Sequence, residues 1–315
     1  MKEFIITKND SGQRLDKFVA KAVPLLPKSL FNKYIRLKRI KCNGKKCEIS
    51  YKLQENDVLQ MYINDEFFEN NTEEYAFLKI KSDIKIVYED ENILLVDKKP
   101  GVVVHSDKDG DLNTLITHIK AYLYETKQYK PQEELSFTPS LCNRIDRNTG
   151  GIVIACKNAE ALRIMNDKVK FHEMEKKYLC IVTGVPQHKS GTFSNYLLKN
   201  EKENKVMVYN NQVRGSKTAI THYKVLKSKN DLSLVECNLV TGRTHQIRAQ
   251  FAYAGHPLLG DGKYGANKTN KEHSRFRQAL YSYKLKFAWK NDAGILNYLN
   301  NQEFCVEKVD FAENF

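Results

Sequence analysis

One tryptophan in 315 residues, no Cys-x-x-Cys pair, no glycine-rich phosphate loop and no internal repeat are the first features of this chain. No uninterrupted apolar run approaches the ~20 residues that a membrane helix needs. Residues 1–8 lack the apolar core and cleavage site of a signal peptide, so a soluble, cytoplasmic protein is expected. The seven cysteines (Cys42, Cys47, Cys142, Cys156, Cys180, Cys237 and Cys305) are odd in number and scattered, and the eight histidines show no ligand spacing near them. Reduced thiols fit that pattern better than a disulfide framework or a zinc site, so no metal is expected. No nucleotide-binding motif is present either, and no cofactor is implied.

What the chain does have is positive charge. The formal net charge is +13, an excess that favours polyanionic partners. Residues 11–60 hold 12 Lys or Arg against 4 Asp or Glu, eight of the excess of thirteen. Within them Leu15, Phe18, Val19 and Ala22 fall at helical spacing up to Pro24. Ser29 reads as the N-cap of a second short helix with Leu30, Tyr34, Ile35 and Leu37 inward. Lys33, Arg36, Lys38 and Arg39 then cluster on or beside its exposed face. Asn43-Gly44, just before Lys45, is a two-residue hairpin signal. Two short helices and a basic hairpin at this spacing resemble the S-four-type RNA-binding domain. The resemblance implies that Lys33, Arg36, Lys38, Arg39 and Lys45 meet a sugar-phosphate backbone, which positions more than it specifies. A merely solvated charged face is the alternative.

Residues 64–75 reverse the charge and lose periodicity, which marks an acidic linker. The expected organisation is a binding domain over 1–63, a linker over 64–83 and a second domain over 84–315. That domain opens on strands at 84–88 and 93–98, followed by Pro100-Gly101 and a third strand at 102–105. A helix over 114–128 with Asn113 as N-cap, a buried strand at 152–155 and a helix over 159–169 come next. Strands at 176–184, 219–225, 232–240 and 280–289 follow, with one helix, 244–254, between the last two. Many short alternating runs joined by short turns indicate an α+β class: a mixed, mostly antiparallel β-sheet flanked by helices, plus a small N-terminal α/β domain.

Three stretches carry chemistry. In Asn143-Arg144-Ile145-Asp146-Arg147-Asn148-Thr149-Gly150-Gly151 one carboxylate stands between two arginines before a turn and an apolar strand. Such a loop can present a catalytic group or hold an ordinary ion pair. The others are Lys176-Lys177-Tyr178 and Thr241-Gly242-Arg243-Thr244-His245-Gln246-Ile247-Arg248, the latter running into Gly255-His256-Pro257-Leu258-Leu259-Gly260-Asp261. Together they resemble the signature set of the RluA-type pseudouridine synthases: H-R-L-D-x-x-T-S-G, K-x-Y, and T-G-R-T-H-Q-[IL]-R followed by G-H-P-[IL]-x-G-D. Asn143, Ile145 and Gly150 depart from the first motif. Residues 88–105 are similar to the family's K-P-x-G-x-x-V-H opening, with Lys99 in place of its proline; His105 there is expected to be structural.

The resemblance implies isomerisation of uridine to pseudouridine within RNA, in which the N-glycosidic bond breaks and carbon 5 of the base rejoins the sugar. Asp146 is the implied catalytic carboxylate, acting by covalent attack or by removing a sugar proton. Arg248 is the implied partner, an arginine that cannot lose its charge. Tyr178 is the implied active-site aromatic, replacing the stacking lost by a flipped base. Arg144, Arg147, Arg243 and His245 are expected to contact RNA; for Arg243 and His245 a helix-start role stands beside that. Gln246 is placed with them as an RNA-side residue that holds a neighbouring loop. Structured RNA is the expected partner, ribosomal more than transfer RNA, bound by a monomer. Two rivals remain: a non-catalytic RNA-binding or ribosome-assembly protein, hinted at by Asn143 and Gly150, and a glycoside hydrolase. The latter needs two acids flanking the bond, whereas the matched acid here is single.

Overall fold

A computed structural model describes residues 1–68, 77–105, 113–265, 267–272 and 277–315. The first unit comprises β1 (Lys2–Ile5), α1 (Leu15–Ala22), α2 (Lys28–Arg36), β2 (Ile40–Cys42), β3 (Lys45–Lys46) and β4 (Val58–Met61). Its sheet runs β1-β4-β2-β3, antiparallel throughout. Leu15, Phe18 and Val19 of α1 and Phe31, Tyr34 and Ile35 of α2 are buried against it, as the helical spacing requires. Asn43 (φ 53°) and Gly44 (φ 73°) are both left-handed, the geometry of the tight turn that matches strand twist. Ser29 is not the cap: α2 starts at Lys28, straight after the extended Pro27 (φ −60°, ψ 140°).

The acidic stretch is anchored at both ends. Phe67 and Phe68 pack on the first core and Phe77 on the second, while residues 69–76 of the expected linker lie outside the described residues.

The second unit contains β5 (Lys85–Glu89), β6 (Ile93–Lys98), α3 (Leu115–Glu125), β7 (Ser140–Leu141), β8 (Gly150–Cys156) and α4 (Ala159–Lys170). It continues with β9 (Met174–Thr183), β10 (Ser190–Asn200), β11 (Lys205–Tyr209), β12 (Lys217–Lys229), β13 (Leu232–Leu239), α5 (Gln246–Tyr253), β14 (Leu280–Phe287) and β15 (Glu303–Cys305). The strands form one sheet in the order β11-β10-β12-β13-β9-β14-β8-β6-β5, with β15 on β14 and β7 on β8. Every described pairing is antiparallel except β14 with β8. The class is α+β, as the alternation predicted.

Helices cover both faces around β8. Leu115, Ile119 and Leu123 of α3 meet Leu94, Val96, Val153 and Ala155. Ala161 and Met165 of α4 meet Ile93, Leu95, Ile152 and Ile154. A strand covered on both faces can be apolar at every position, which is why β8 reads as an unbroken apolar run. On the other half of the sheet, Ile247 and Phe251 of α5 pack on Tyr178, Cys180 and Val182 of β9.

Several expected boundaries move. Thr114, not Asn113, caps α3, its side chain accepting from the Thr117 amide, while Asn113 Oδ1 meets His118 Nε2 at 2.8 Å. The strand expected at 102–105 is only a single bridge from Val103 to Thr114. Helix α5 begins at Gln246 rather than Thr244, because His245 sits in the left-handed region (φ 51°) and cannot continue a right-handed turn. The strands β10 and β11, unassigned in the sequence, expose much of their length and lack a clean alternation.

Candidate active site

The chain places Asp146 at the seam of the sheet. Downstream of it, Gly150 and Gly151 open β8 and pair in parallel with Tyr281 and Ser282 of β14. No side chain fits there. A Cβ on Gly151 (φ 116°) would stand 2.1 Å from the Ser282 carbonyl oxygen, and one on Gly150 2.3 Å from the Tyr281 ring. The Asp146 loop is then fixed from three sides. The Thr149 amide donates to the Asp146 carbonyl (3.0 Å), closing a turn, and Thr149 Oγ1 accepts from Gln278 Nε2 (2.9 Å). The Arg147 carbonyl accepts from the Gly101 amide (2.8 Å) and from Lys98 Nζ (2.9 Å). Upstream, Asn143 Oδ1 accepts from the Ile154 amide (2.8 Å), so this side chain extends the β8 pairing towards the loop.

Helix α5 brings Arg248 to the same point from 102 residues away, and its Nη1 donates to Asp146 Oδ2 at 2.6 Å. The other side of the guanidinium is held by Asp261, with Nε to Oδ2 at 2.7 Å and Nη2 to Oδ1 at 2.9 Å. Asp261 is 0 % exposed and also accepts from the amides of Lys263 and Tyr264. Burial pushes the Asp261 carboxyl up, but its bonds to Arg248 and these amides more than offset that and hold it below the usual carboxylate range. For Arg248 burial works against the charge, and the two carboxylates more than restore it, raising its pKa. The result is a cation aimed at Asp146 by a fully buried counter-ion. The Asp146 side chain keeps 27 % of its surface exposed, next to a cavity of about 410 Å³ lined by Asn148, Lys205, Arg248, Gly260, Gly262, Lys263 and Gln278.

Residues 92–253 match the RNA pseudouridylate synthase family and residues 13–59 the S4 domain. A relative in Mycoplasma genitalium, an uncharacterised RNA pseudouridine synthase, is 31 % identical over 90 % of this chain and 88 % of its own. The chain belongs to the RNA pseudouridylate synthase family. It is therefore an RNA pseudouridine synthase, an isomerase. Ribosomal large subunit pseudouridine synthase C of Escherichia coli is 29 % identical over 85 % of this chain and 81 % of its own. The structure of human RNA pseudouridylate synthase domain containing 4 superposes with a TM-score of 0.56, 21 % identity, 72 % of this chain and 89 % of that one. That likeness shows a shared fold.

The other residues singled out in the sequence distribute unevenly around the synthase's carboxylate. Tyr178 shares an apolar cluster with Ile145 and Ile247, the neighbours of Asp146 and Arg248. Burial, with the Asp146 charge added, pushes its hydroxyl up to about 12, so it stays protonated. At 7 % exposure its ring is packing first and has no open face for a base, unlike the platform expected. His245 lies beside the carboxylate rather than out among RNA contacts, with Nε2 3.8 Å from Asp146 Oδ2. Burial, with the charges of Arg248 and Lys263, holds it down at about 4 against the pull of Asp146, so it is neutral. Tyr264 fixes its tautomer. That hydroxyl accepts from the Val206 amide (2.8 Å) and so turns its own hydrogen to His245 Nδ1 (2.9 Å), leaving the proton of His245 on Nε2.

Gln246 is a correction: 3 % exposed, its amide bonds Thr241, Thr221, the Ile220 carbonyl and the Arg243 amide, so it holds the turn internally and has nothing left for RNA. Arg243 is half-buried with Nε on the Thr218 carbonyl (3.0 Å). Arg144 and Arg147 are exposed on the loop, and Lys33, Arg36, Lys38, Arg39 and Lys45 are exposed on the first unit. His105 is exposed, and burial of its ring with the charges of Arg144 and Lys120 lowers its pKa.

Three groups escaped the sequence reading. Asp261 stands in the quoted Gly260-Asp261 pair, but nothing local says that its target is Arg248. Lys98 looked like scaffold; it is 1 % exposed and donates to the carbonyls of Lys99, Val102 and Arg147. Lys205 and Lys263 line the cavity from the unassigned strand β11 and the loop after Asp261.

Proposed function

We propose that the synthase isomerises a uridine of ribosomal RNA, with Asp146 as the catalytic carboxylate, Arg248 as its fixed cation and Tyr178 as the apolar wall of the site. The observation that carries this reading is the 2.6 Å bond from Arg248 Nη1 to a carboxylate still open to solvent. A flipped nucleotide entering the cavity meets Asp146 with its sugar. The carboxylate either attacks the sugar carbon or takes a neighbouring sugar proton, and the uracil leaves with the bonding electrons of the nitrogen. After reorientation carbon 5 bonds to the sugar, its hydrogen departs as a proton, and the nitrogen takes one up. No electrons are exchanged with a partner, so the balance closes without an oxidant.

Ribosomal RNA is favoured by the relatives named as ribosomal large subunit synthases and by the S4 match. The proposed division is residues 1–63 for docking RNA, 64–83 as linker and 84–315 for catalysis, in one cytoplasmic chain acting as a monomer. Arg144 and Arg147, exposed beside the carboxylate, are the proposed RNA contacts of the loop. The test is tritium release from ribosomal RNA labelled at carbon 5 of uridine. Wild type is expected to release it, while Asp146→Ala loses at least ~10³-fold in rate and keeps its RNA affinity. Equal release from both proteins defeats the assignment of Asp146. Binding without release by wild type favours an RNA-binding protein on the same scaffold.

A further inference from the structure

Lys176 stands on β9 two residues before Tyr178, and by strand alternation on the same face. Two residues of strand put it about 6.6 Å along from Tyr178. Its Nζ points to the turn that launches α5: a Cβ added to Gly242 would lie 3.9 Å from it. The neighbouring Lys177 has Glu236 at 3.6 Å, whereas Lys176, among the described residues, has neither a carboxylate nor a hydrogen-bond acceptor. It is half-buried, and burial alone lowers its pKa, with no anion opposing the effect.

Other cations gather around it. The pKa of His172 is lowered by burial and then by the charges of Lys176, Arg243 and Lys290, so these three cations act on one place. Lys290 is exposed, and the one bond of Arg243 in the described residues, Nε to the Thr218 carbonyl, leaves two guanidinium nitrogens unengaged. The nearest buried acid, Glu173, is taken by Lys168 Nζ at 2.8 Å. Holding an ammonium partly out of water with no counter-charge is unfavourable unless something else supplies the anion. A compact phosphate oxygen suits lysine, and the free fork of an arginine suits the same group.

We propose that Lys176, with Arg243, Lys290 and His172 around it, binds a backbone phosphate of the RNA strand adjoining the nucleotide held at Asp146. This rests on the synthase reading of the site and assigns the path that the strand takes out of it, across the start of β9 and the Gly242 turn. Gly242 fits that path, because its missing side chain leaves the ammonium open.

The experiment compares Lys176→Met and Lys176→Arg in the full-length protein. It uses carbon-5 tritium release from ribosomal RNA, filter binding of that RNA over a series of KCl concentrations, and thermal unfolding. Lys176→Met is expected to raise KM about five- to tenfold with kcat within about twofold, and to flatten the slope of log affinity against log salt by roughly 0.7 to 0.9, one phosphate contact. Lys176→Arg should restore both, and neither variant should unfold earlier than wild type, since Lys176 supports no other side chain. An unchanged KM and salt slope in Lys176→Met overturns the phosphate site, as does a lowered melting temperature that accounts for the loss and is shared by Lys176→Arg. Wild-type protein that binds RNA but releases no tritium overturns the synthase reading instead, whatever the lysine does.

Discussion

Arg248 is shared between two carboxylates of different kinds. Asp261, fully buried and bidentate, fixes the plane of the guanidinium, and Asp146, partly open, receives the remaining edge. Removing one partner of a buried pair costs about 3–5 kcal/mol, because it strands the other charge. Asp261→Asn keeps the shape and loses the charge, so a stability loss of about 3 kcal/mol is expected by urea unfolding. The released arginine loses its aim, and tritium release should fall on the order of a hundredfold even where the variant is folded. A variant as active as wild type would show that Asp146 needs no such brace.

His245 gives a second test at this scale, with a sign that follows from its burial. Its folded pKa of about 4 lies below the ~6.5 of an unfolded histidine, so the unfolded chain binds more protons between the two. The contribution of this residue is therefore present above about pH 6.5 and is lost as pH falls through the folded value, on the order of 2 kcal/mol. Carboxylates titrate in the same window, so the informative quantity is the difference between wild type and His245→Gln. The wild-type curve should fall more steeply on acidification. Parallel curves would mean that the imidazole is solvated and free to charge.

At the scale of elements the decisive contact is the β8–β14 seam. The synthase family's motif has serine where this chain has Gly150, and the structure supplies the reason: the Tyr281 ring occupies the space, anchored by its hydroxyl donating to Asp97 Oδ1 at 2.6 Å. Gly150→Ser should cost about 1–3 kcal/mol as an overpacked site and lower activity by displacing the loop. In a Tyr281→Ala background the same change should cost under about 1 kcal/mol, a coupling that a double-mutant cycle reads directly. Equal costs in both backgrounds would remove Tyr281 as the cause. The departure at Asn143 has a parallel account, since its amide bonds to the β8 backbone and braces the loop from the chain's own strand.

These cases mark what was legible. Period and motif located β8, β9, α3 and α4 and the trio Asp146, Tyr178 and Arg248, because each sits in a run whose local pattern serves its own burial. Gly150 with Tyr281, Asp261 with Arg248, and Lys98 with the Arg147 carbonyl join residues far apart in the chain, and no local pattern records such pairs. Gln246 was misjudged for the opposite reason: a polar side chain at a turn reads as outward, yet every bond of its amide is made inside. The start of α5 was missed because a left-handed histidine is allowed there by the Tyr264 and Asp146 contacts around it, which propensity does not see.

For the molecule as a whole, charge and docking are divided. The first unit holds much of the positive excess on an exposed face, while its opposite side meets the second unit through polar bonds. Asn9 Nδ2 donates to Glu134 Oε1 (2.9 Å), Gln13 Nε2 to Ser136 Oγ (2.7 Å), and Ser136 Oγ to the fully buried Asp10 (2.6 Å). Leu135 adds an apolar contact to the first core. That seam sets the basic face at a fixed position relative to the Asp146 cavity, so affinity and chemistry reside on separate surfaces of one body. Phosphate contacts there should then act on binding alone. Arg36→Glu with Arg39→Glu reverses two charges on α2 and the turn after it, at positions that are exposed and remote from Asp146. The double variant is expected to raise KM for ribosomal RNA by at least about tenfold and to reduce the salt slope by roughly two, with kcat unchanged at saturating RNA. Its melting temperature should match wild type, because neither side chain holds a buried partner. If kcat falls together with affinity, the two surfaces are coupled through the seam, and the first unit takes part in placing the uridine as well as in gripping its RNA.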